Sequence, residues 1–161
     1  TDREEMTMRP LIAGPSLMAA AVLLTGCSIM HHSTGLTDDN RLTPCPEPPR
    51  CVSSQARDPD KQVPPFALRK ADNASWQRLG EMVEAMERTT VVKRSERYLH
   101  AEVVSPWHFY TDDLELLYRP EENRVHVRSS ARVGYYDFKV NRERVQKLRN
   151  QLDKAGLLRS E

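Results

Sequence analysis

The chain has 161 residues, of which 39% are hydrophobic and 29% charged, and its formal net charge is +1. This balance indicates one soluble globular domain and argues against a disordered or membrane-spanning protein. A near-neutral chain without a basic stripe also argues against a nucleic-acid partner. The charges are unevenly placed: residues 79–122 carry ten Asp/Glu and five Lys/Arg, whereas 124–149 carry eight Lys/Arg and two acids. Complementary halves of this kind most often pair within one fold.

An apolar run stands near the start of the chain. It covers Leu11–Leu24, follows the positive Arg9, and is too short for the ~20 residues that a membrane-spanning helix needs. It ends in Leu24-Thr25-Gly26-Cys27, which resembles the bacterial lipobox, a leucine and two small residues before the cysteine that accepts a diacylglycerol. The resemblance implies that residues 1–26 are a signal peptide. It also implies that Cys27 is the lipidated first residue of the mature protein.

A lipid anchor of this kind predicts a place in the cell envelope. Several acyl chains hold a protein stably to a bilayer that it does not span. A residue other than Asp after the cysteine, here Ser28, implies the outer membrane, so we expect a lipoprotein anchored to the periplasmic face of that membrane. Residues 1–5 fit no targeting role, and we expect translation to start at Met6 or Met8.

No helical or strand period persists between Ser28 and Leu68. Seven of the eleven prolines lie between Pro44 and Pro65, and proline favours an extended, semi-stiff backbone. The sequence therefore predicts a Pro-rich tether over 27–67, flexible as far as Arg41 and lying along the domain after it. The folded α+β domain is expected at 68–161.

Two cysteines interrupt this proline-rich segment. Cys45 and Cys51 are six positions apart in a chain predicted to be exported to an oxidising compartment, which favours a disulfide. Metal binding is the alternative, but two cysteines without nearby His or Cys partners do not complete a tetrahedral site. A loop this small contributes about 2 kcal/mol at most, so we expect it to set local shape. We predict neither a metal nor another cofactor.

The folded domain is predicted to open with a helix and two strands. Capping residues cluster at Asp72–Ser75, and Thr89–Val92 and Tyr98–Val104 have strand character, with Pro106 ending the second strand. The aromatic cluster Trp107-His108-Phe109-Tyr110 follows that proline. The apolar face of the helix is predicted to consist of Trp76, Leu79, Met82, Val83 and Met86.

A hairpin is predicted next, with strands that start at Leu114 and Val125 and a turn at Pro120–Asn123. Its expected register pairs Arg119 with Arg124, Leu116 with Val127 on the core side and Glu115 with Arg128 on the outer side, and brings Asp113 near Ser130. Cross-strand pairs of opposite charge contribute roughly 0.2–1 kcal/mol, so pairing alone would account for the charged residues on the outer face.

The last helix has signals at both ends. Asn141 is the expected cap, Val140 and Val145 the expected hydrophobic staple, and Gly156 the expected left-handed end. Its buried stripe is predicted to be Val145, Leu148 and Leu152. The whole pattern predicts an α+β fold, a four-stranded antiparallel sheet with two helices on one face.

Three segments carry a family resemblance: CPEPPRCVSS, TDDLEL and VHVRSSARVGYYDFKVNRERVQKLR. Together they are similar to the domain of unknown function 1499 family of bacteria and plastids, over about Cys45–Leu152. This chain departs from the expected pattern at Arg50, where an Asn is expected, at Ser130-Ala131, where the order is reversed, and at Phe138-Lys139, where a Leu-Gly pair is expected. The family has no established activity, so the resemblance implies a domain and no chemistry.

The basic half of the chain suggests an anion site. Guanidinium groups and a helix amino terminus both favour phosphate or carboxylate, and the candidate residues are Arg128, Arg132, Asn141 and Arg142. Structural ion pairing is the competing interpretation. The acids near enough in topology to neutralise these arginines are Asp112, Asp113, Glu115 and Asp137.

A second candidate is an acidic and polar cluster of His108, Asp112, Asp113 and Asp137. Asp112 and Asp113 beside His108 would supply a general acid and base or two metal ligands, the set that a small hydrolase would use. The sequence contains no phosphate loop, nucleophile elbow or zinc-protease motif. We therefore expect a non-catalytic binding or scaffold module whose partner is an envelope protein or an anionic small molecule, with a hydrolase as the alternative.

Overall fold

An antiparallel sheet lies at the centre of the computed structural model, which describes residues 33–159. The predicted signal peptide, lipobox and Cys27 lie outside the described residues. The strands are β1 (Cys51–Ser53), β2 (Phe66–Ala67), β3 (Thr89–Arg94), β4 (Tyr98–Val104), β5 (Thr111–Arg119) and β6 (Arg124–Ala131). They follow the order β1-β6-β5-β4-β3, and β2 also pairs with β6.

The sheet has six strands, so the prediction of four was too low. β1 pairs with residues 128–130 of β6 and β2 with residues 124–125, so that both lie along the edge of β6 that β5 leaves free. The two extra strands come from the segment predicted to be a tether. They are three and two residues long, too short to show a period in the sequence, and they form because an unpaired strand edge offers hydrogen bonds to any nearby chain.

Two helices pack on one face of this sheet, as predicted. They are α1 (Asn73–Glu84) and α2 (Val140–Lys154). The Asp72 side chain accepts a hydrogen bond from the Ser75 backbone N–H at 2.8 Å and caps α1. Both helices contribute to one apolar cluster with the sheet. Its buried members from these elements include Trp76, Leu79, Val83, Leu99, Ala101, Leu114, Leu116, Val125, Val127, Val145, Leu148 and Leu152.

The predicted register of the β5–β6 hairpin is confirmed. Leu116 pairs with Val127, Glu115 with Arg128, and Arg119 with Arg124 at the turn. The charged side of this hairpin is not an outer face, however, because Glu115 is fully buried. Residues 33–44, most of which were expected to be flexible, cover it. The Gly35 N–H donates to Glu115 Oε1 at 2.5 Å, and Leu42 packs with two residues of this face, Tyr98 and Leu117.

The start of α2 differs from the prediction. Asn141 lies inside the first turn and is fully buried, while Lys139 occupies the cap position with φ 67°. Asp137 performs the capping, since its carboxylate accepts from the N–H groups of Lys139 and Asn141. Val140 lies within the helix and is 45% exposed, so it does not precede the cap as a staple residue would.

The end of α2 is as predicted. Gly156 has φ 70°, and its N–H donates to Asp153 O while the next N–H, of Leu157, donates to Leu152 O. This pair of bonds is the Schellman motif, which favours glycine because the residue after the cap must be left-handed.

The predicted disulfide is confirmed, and Cys45 and Cys51 have Cα atoms 5.6 Å apart. Cys51 is the first residue of β1, so the bond fixes the start of that strand to the proline-rich segment before it. Within residues 33–159, neither helix has the length and apolar character needed to cross a membrane.

Candidate functional site

The face of the sheet away from the helices carries a network of charged side chains centred on Asp113, which is 1% exposed. Arg132 Nη2 lies 2.7 Å from Asp113 Oδ1 and 2.5 Å from Glu102 Oε1. His100 Nε2 lies 2.7 Å from the same Asp113 oxygen. Burial by itself would raise the pKa of Asp113, but the hydrogen bonds from His100 and Arg132 outweigh it and lower that pKa to about 2. Asp113 is therefore ionised and paired.

A second ion pair lies one position further along the same face. Arg128 Nη1 is 2.6 Å from Glu115 Oε2, and both side chains are almost completely buried. The Tyr98 hydroxyl donates to the other oxygen, Glu115 Oε1, at 2.6 Å. Burial and the bond to Glu115 raise the pKa of Tyr98, so the phenol stays protonated. With the Gly35 N–H as a further donor, the Glu115 carboxylate has partners on both oxygens.

The opposite face carries a separate network under the start of α2. Asp112 Oδ2 accepts from Arg144 Nη2 at 2.7 Å. Arg144 Nη1 also donates to the Ser129 hydroxyl at 3.0 Å, and that hydroxyl donates to Asn141 Oδ1 at 2.7 Å. The Asn141 amide nitrogen donates in turn to Asp137 Oδ2 at 2.8 Å. This chain of bonds attaches the first turn of α2 to β5 and β6.

The structure does not gather the four predicted anion-binding residues into one pocket. Arg128 and Arg132 lie on the face away from the helices and are paired with carboxylates, whereas Asn141 lies on the helix face. Arg142 donates to two backbone carbonyls, Asp60 O at 2.7 Å and Gln62 O at 2.9 Å. The Nε of Arg128 has no hydrogen-bond partner among the described residues, but the side chain is only 2% exposed and is closed to a ligand from solution. The competing interpretation, structural ion pairing, fits this geometry better.

The hydrolase residues are also kept apart. Asp112 and Asp113 are neighbours in β5, so their side chains point to opposite faces of the sheet. They have different partners, Arg144 and Arg132 respectively. His108 lies in the exposed turn Pro106–His108 between β4 and β5. Among residues 33–159, no group of three or more His, Cys, Asp or Glu side chains is placed to hold a metal ion.

Sequence reasoning missed four members of these networks: Tyr98, His100, Glu102 and Arg144. The first three occupy alternate positions of β4, which is the pattern of one sheet face. This alternation separates them from the core residues of the same strand, but it does not show which side chains they contact. Arg144 had no such signal, because its partner Asp112 is thirty-two residues away in the chain.

Two loops at one end of the sheet expose aromatic side chains. The loop of residues 105–110 joins β4 to β5, and the loop of residues 132–139 joins β6 to α2. Ten large hydrophobic side chains are exposed in the part of the chain that the structure describes. Eight of these belong to the two loops and the first residue of α2: Trp107, Phe109, Tyr110, Val133, Tyr135, Tyr136, Phe138 and Val140. We call these eight residues the aromatic end.

The two loops of the aromatic end start close together. Asp112, at the start of β5, pairs with Val103 of β4 and with Ala131 of β6, so the strands that carry the loops are about 10 Å apart across β5. A cavity of about 520 Å³ is lined from both sides, by Pro106 and by Val140. The exposed side chains therefore share one end of the molecule.

Comparison with known protein families adds one finding. A family model described as Protein of unknown function (DUF1499) matches residues 41–152, more than two thirds of the chain. The chain belongs to this family. No curated protein and no solved structure matches it. The resemblance noted in the sequence is therefore confirmed, and the match includes β1, β2, α1 and all but the last two residues of α2.

Two of the positions at which this chain departs from the DUF1499 family pattern have a structural role. Lys139 replaces an expected glycine and has φ 67°, while Phe138 before it has φ 54°. Glycine adopts such angles without steric cost, so both residues hold a strained backbone in the loop of residues 132–139. Arg50, in place of an expected Asn, is 2% exposed and donates through Nη1 to Arg132 O at 3.0 Å. It thereby fixes the chain just after β6.

Proposed function

We propose that this protein is a lipoprotein anchored to the periplasmic face of the outer membrane, and that its DUF1499 domain is a non-catalytic binding or scaffold module of the cell envelope. The proposed binding or scaffold role rests on the contrast between the charged and the aromatic side chains. The buried acids and bases, such as Asp113 with Arg132 and Glu115 with Arg128, bind one another. The residues exposed for contact are the aromatic ones. A catalytic site needs the reverse, reactive groups that are open to a substrate.

The anchor is supported by the sequence. Leu24-Thr25-Gly26-Cys27 follows an apolar run of the length found in signal peptides. The Cys45–Cys51 disulfide is consistent with an oxidising compartment, where such bonds persist. Neither alternative use of the domain gains support. The hydrolase would need Asp112 and Asp113 on one face, and an anionic ligand would have to displace the present partners of Arg128 and Arg132.

The anchor is tested by mass spectrometry of the mature protein. Wild-type protein is expected to begin at an acylated Cys27, and Cys27→Ser is expected either to remain a precursor or to leave the membrane fraction. Ser28→Ala is the matched control and should be acylated normally. An unmodified Cys27 in wild-type protein taken from the envelope would refute the anchor.

The binding role is tested by photo-crosslinking in intact cells. A photoreactive residue is placed at Phe109 or Phe138, which are 76% and 80% exposed, and at Val92, which is 47% exposed on β3 as the matched control. The proposal expects a crosslinked envelope component, lipid or protein, at the first two positions and much less at Val92. Equal labelling at all three positions would mean that the aromatic end is not a binding surface.

A further inference from the structure

The aromatic end has the composition of a membrane-interface segment. Six of its eight residues are aromatic, and Trp107, Phe109 and Phe138 are 83%, 76% and 80% exposed. Tryptophan and tyrosine concentrate at the headgroup level of bilayers, because their rings combine an apolar body with a polar edge. Exposed apolar groups gathered in one region usually mark an interaction surface.

The shape of the aromatic end also suits a bilayer. Its most exposed side chains are carried by two loops that leave the ends of strands, and the backbone there is held in uncommon conformations. Trp107 and His108 have φ 71° and 59° in one loop, and Phe138 and Lys139 have φ 54° and 67° in the other. Left-handed angles are costly for bulky residues and often mark functional positions. A bilayer accepts projecting rings without the matched pocket that a protein partner must provide.

The charges of the two loops are compatible with anionic lipid headgroups. Residues 105–110 contain no acid, and residues 132–139 contain one, Asp137. Its carboxylate is occupied by the N–H groups of Lys139 and Asn141 and by the Asn141 amide. The basic side chain of Lys139 is exposed beside it. No unpartnered carboxylate of these loops would therefore be brought against an anionic surface.

The chain between Cys27 and the folded domain is long enough for the lipid anchor and the aromatic end to reach the same membrane. Gly35 is held against Glu115, and Glu115 is four residues, about 13 Å, from the start of β5 at Thr111. Cys27 precedes Gly35 by eight residues, which span up to about 27 Å when extended. A lipid on Cys27 is thus within reach of a membrane surface that touches the aromatic end.

We infer that the aromatic end inserts into the headgroup region of the phospholipid bilayer to which Cys27 is anchored. The domain then lies against the membrane with the last residues of β4 and β6 and the first residues of β5 at its surface, instead of moving freely at the end of a tether. The inference deepens the proposed function, and its geometry rests on the proposed anchor. The binding partner of the aromatic end is lipid and not a protein.

Trp107 allows a direct test, because the only other tryptophan, Trp76, is 1% exposed and stacks on Tyr118 in the core. The full-length protein is reconstituted into vesicles of phosphatidylethanolamine and phosphatidylglycerol whose acyl chains carry bromine, which quenches tryptophan on contact. Wild-type protein is expected to lose roughly half of its fluorescence relative to vesicles without bromine, since one of two tryptophans lies at the interface. Trp107→Phe should lose almost none.

A second set of variants separates the aromatic end from the rest of the chain. Phe109→Ser combined with Phe138→Ser should reduce the quenching of Trp107 severalfold, whereas the control Val92→Ser should leave it unchanged. Absence of quenching in the wild-type protein, or equal quenching in wild type and Trp107→Phe, would overturn the inference. A crosslink of Phe138 to a protein without quenching of Trp107 would also overturn it and would leave the proposed binding role intact.

The state of Cys27 distinguishes this inference from the proposed anchor. An unmodified Cys27 together with quenching of Trp107 would refute the anchor and retain the membrane contact. An acylated Cys27 without quenching would retain the anchor and refute the contact.

Discussion

Neighbouring residues on the two faces of the sheet are buried to the same degree by opposite chemistry. Leu116 and Glu115 are consecutive residues of β5, and neither is exposed to solvent. Leu116 lies in the apolar cluster under the helices, whereas Glu115 is bound by Arg128, Tyr98 and the Gly35 N–H. Apolar burial is favourable in itself. Burial of a carboxylate is tolerated only when its charge and its hydrogen-bonding capacity are both met, so the second face depends on the pairing of its carboxylates.

This difference predicts how substitutions on each face change the stability of the fold. A truncated leucine leaves a cavity, and the loss depends on how far the neighbours relax. A truncated ion pair leaves a buried charge, and no relaxation of apolar neighbours compensates for it. The charged face should therefore be sensitive to single substitutions and tolerant of paired ones.

The largest effect is expected at the fully buried pair. Arg128→Ala should lower the free energy of unfolding by about 3–5 kcal/mol, because it leaves the Glu115 carboxylate without its counter-charge. Arg128→Met combined with Glu115→Leu should recover most of that loss. Denaturant unfolding measures both, with Arg124→Ala, at an exposed position of β6, as the control. If Arg128→Ala costs no more than the control, the pair is not what stabilises this face.

A slightly smaller loss is expected at Arg132, which is 24% exposed. Arg132→Ala should cost about 2–3 kcal/mol, since Asp113 keeps His100 as a partner but loses the guanidinium. Adding Asp113→Ala should restore part of the stability, whereas adding Asp137→Ala, which is not bonded to Arg132 here, should lower it further. The melting temperatures of the single variant and the two double variants show which aspartate is the partner of Arg132. An unchanged melting temperature in Arg132→Ala would revive the idea of an arginine held open for a ligand.

Acid should affect the charged face selectively. The pKa of Asp113 is about 2 in the folded protein against an ordinary value of 3.8, a difference equivalent to about 2 kcal/mol. This stabilisation is fully present above pH 4 and is lost as the pH falls through the folded pKa. Unfolding free energy measured across this range should fall less steeply in Asp113→Asn than in the wild type. If the unfolding free energies of the wild type and of Asp113→Asn fall equally steeply with pH, other carboxylates dominate acid unfolding.

The smallest effect on stability is expected at the aromatic end. Phe109→Ser and Phe138→Ser should each change the free energy of unfolding by less than about 0.5 kcal/mol, because the rings are mostly exposed. Combined in one protein, the same two substitutions are expected to abolish most of the membrane contact. A large loss of stability in both would place these rings in the core and remove the reason to regard them as a binding surface.

Local signals predicted the elements that depend on neighbouring residues in the chain. The face of α1 and its Asp72 cap follow from helical spacing, and the Gly156 ending of α2 follows from the need for a left-handed residue. The β5–β6 register followed from a short turn together with alternating residues, since a slip by one position would turn every side chain to the other face. The disulfide followed from two cysteines in one short segment.

Only the tertiary structure decided the features that depend on distant parts of the chain. β1 and β2 exist because β6 has a free edge, and alternation assigned Glu115 to a face without showing that residues 33–44 cover it. The same holds for Asn141. The sequence predicted it as a helix cap, but its side chain is bonded to Ser129 and Asp137 instead. The aromatic end likewise arises because β4 and β6, which carry its two loops, end on either side of β5. Periodicity records which way a side chain points, and the element that meets it there is set by the path of the whole chain.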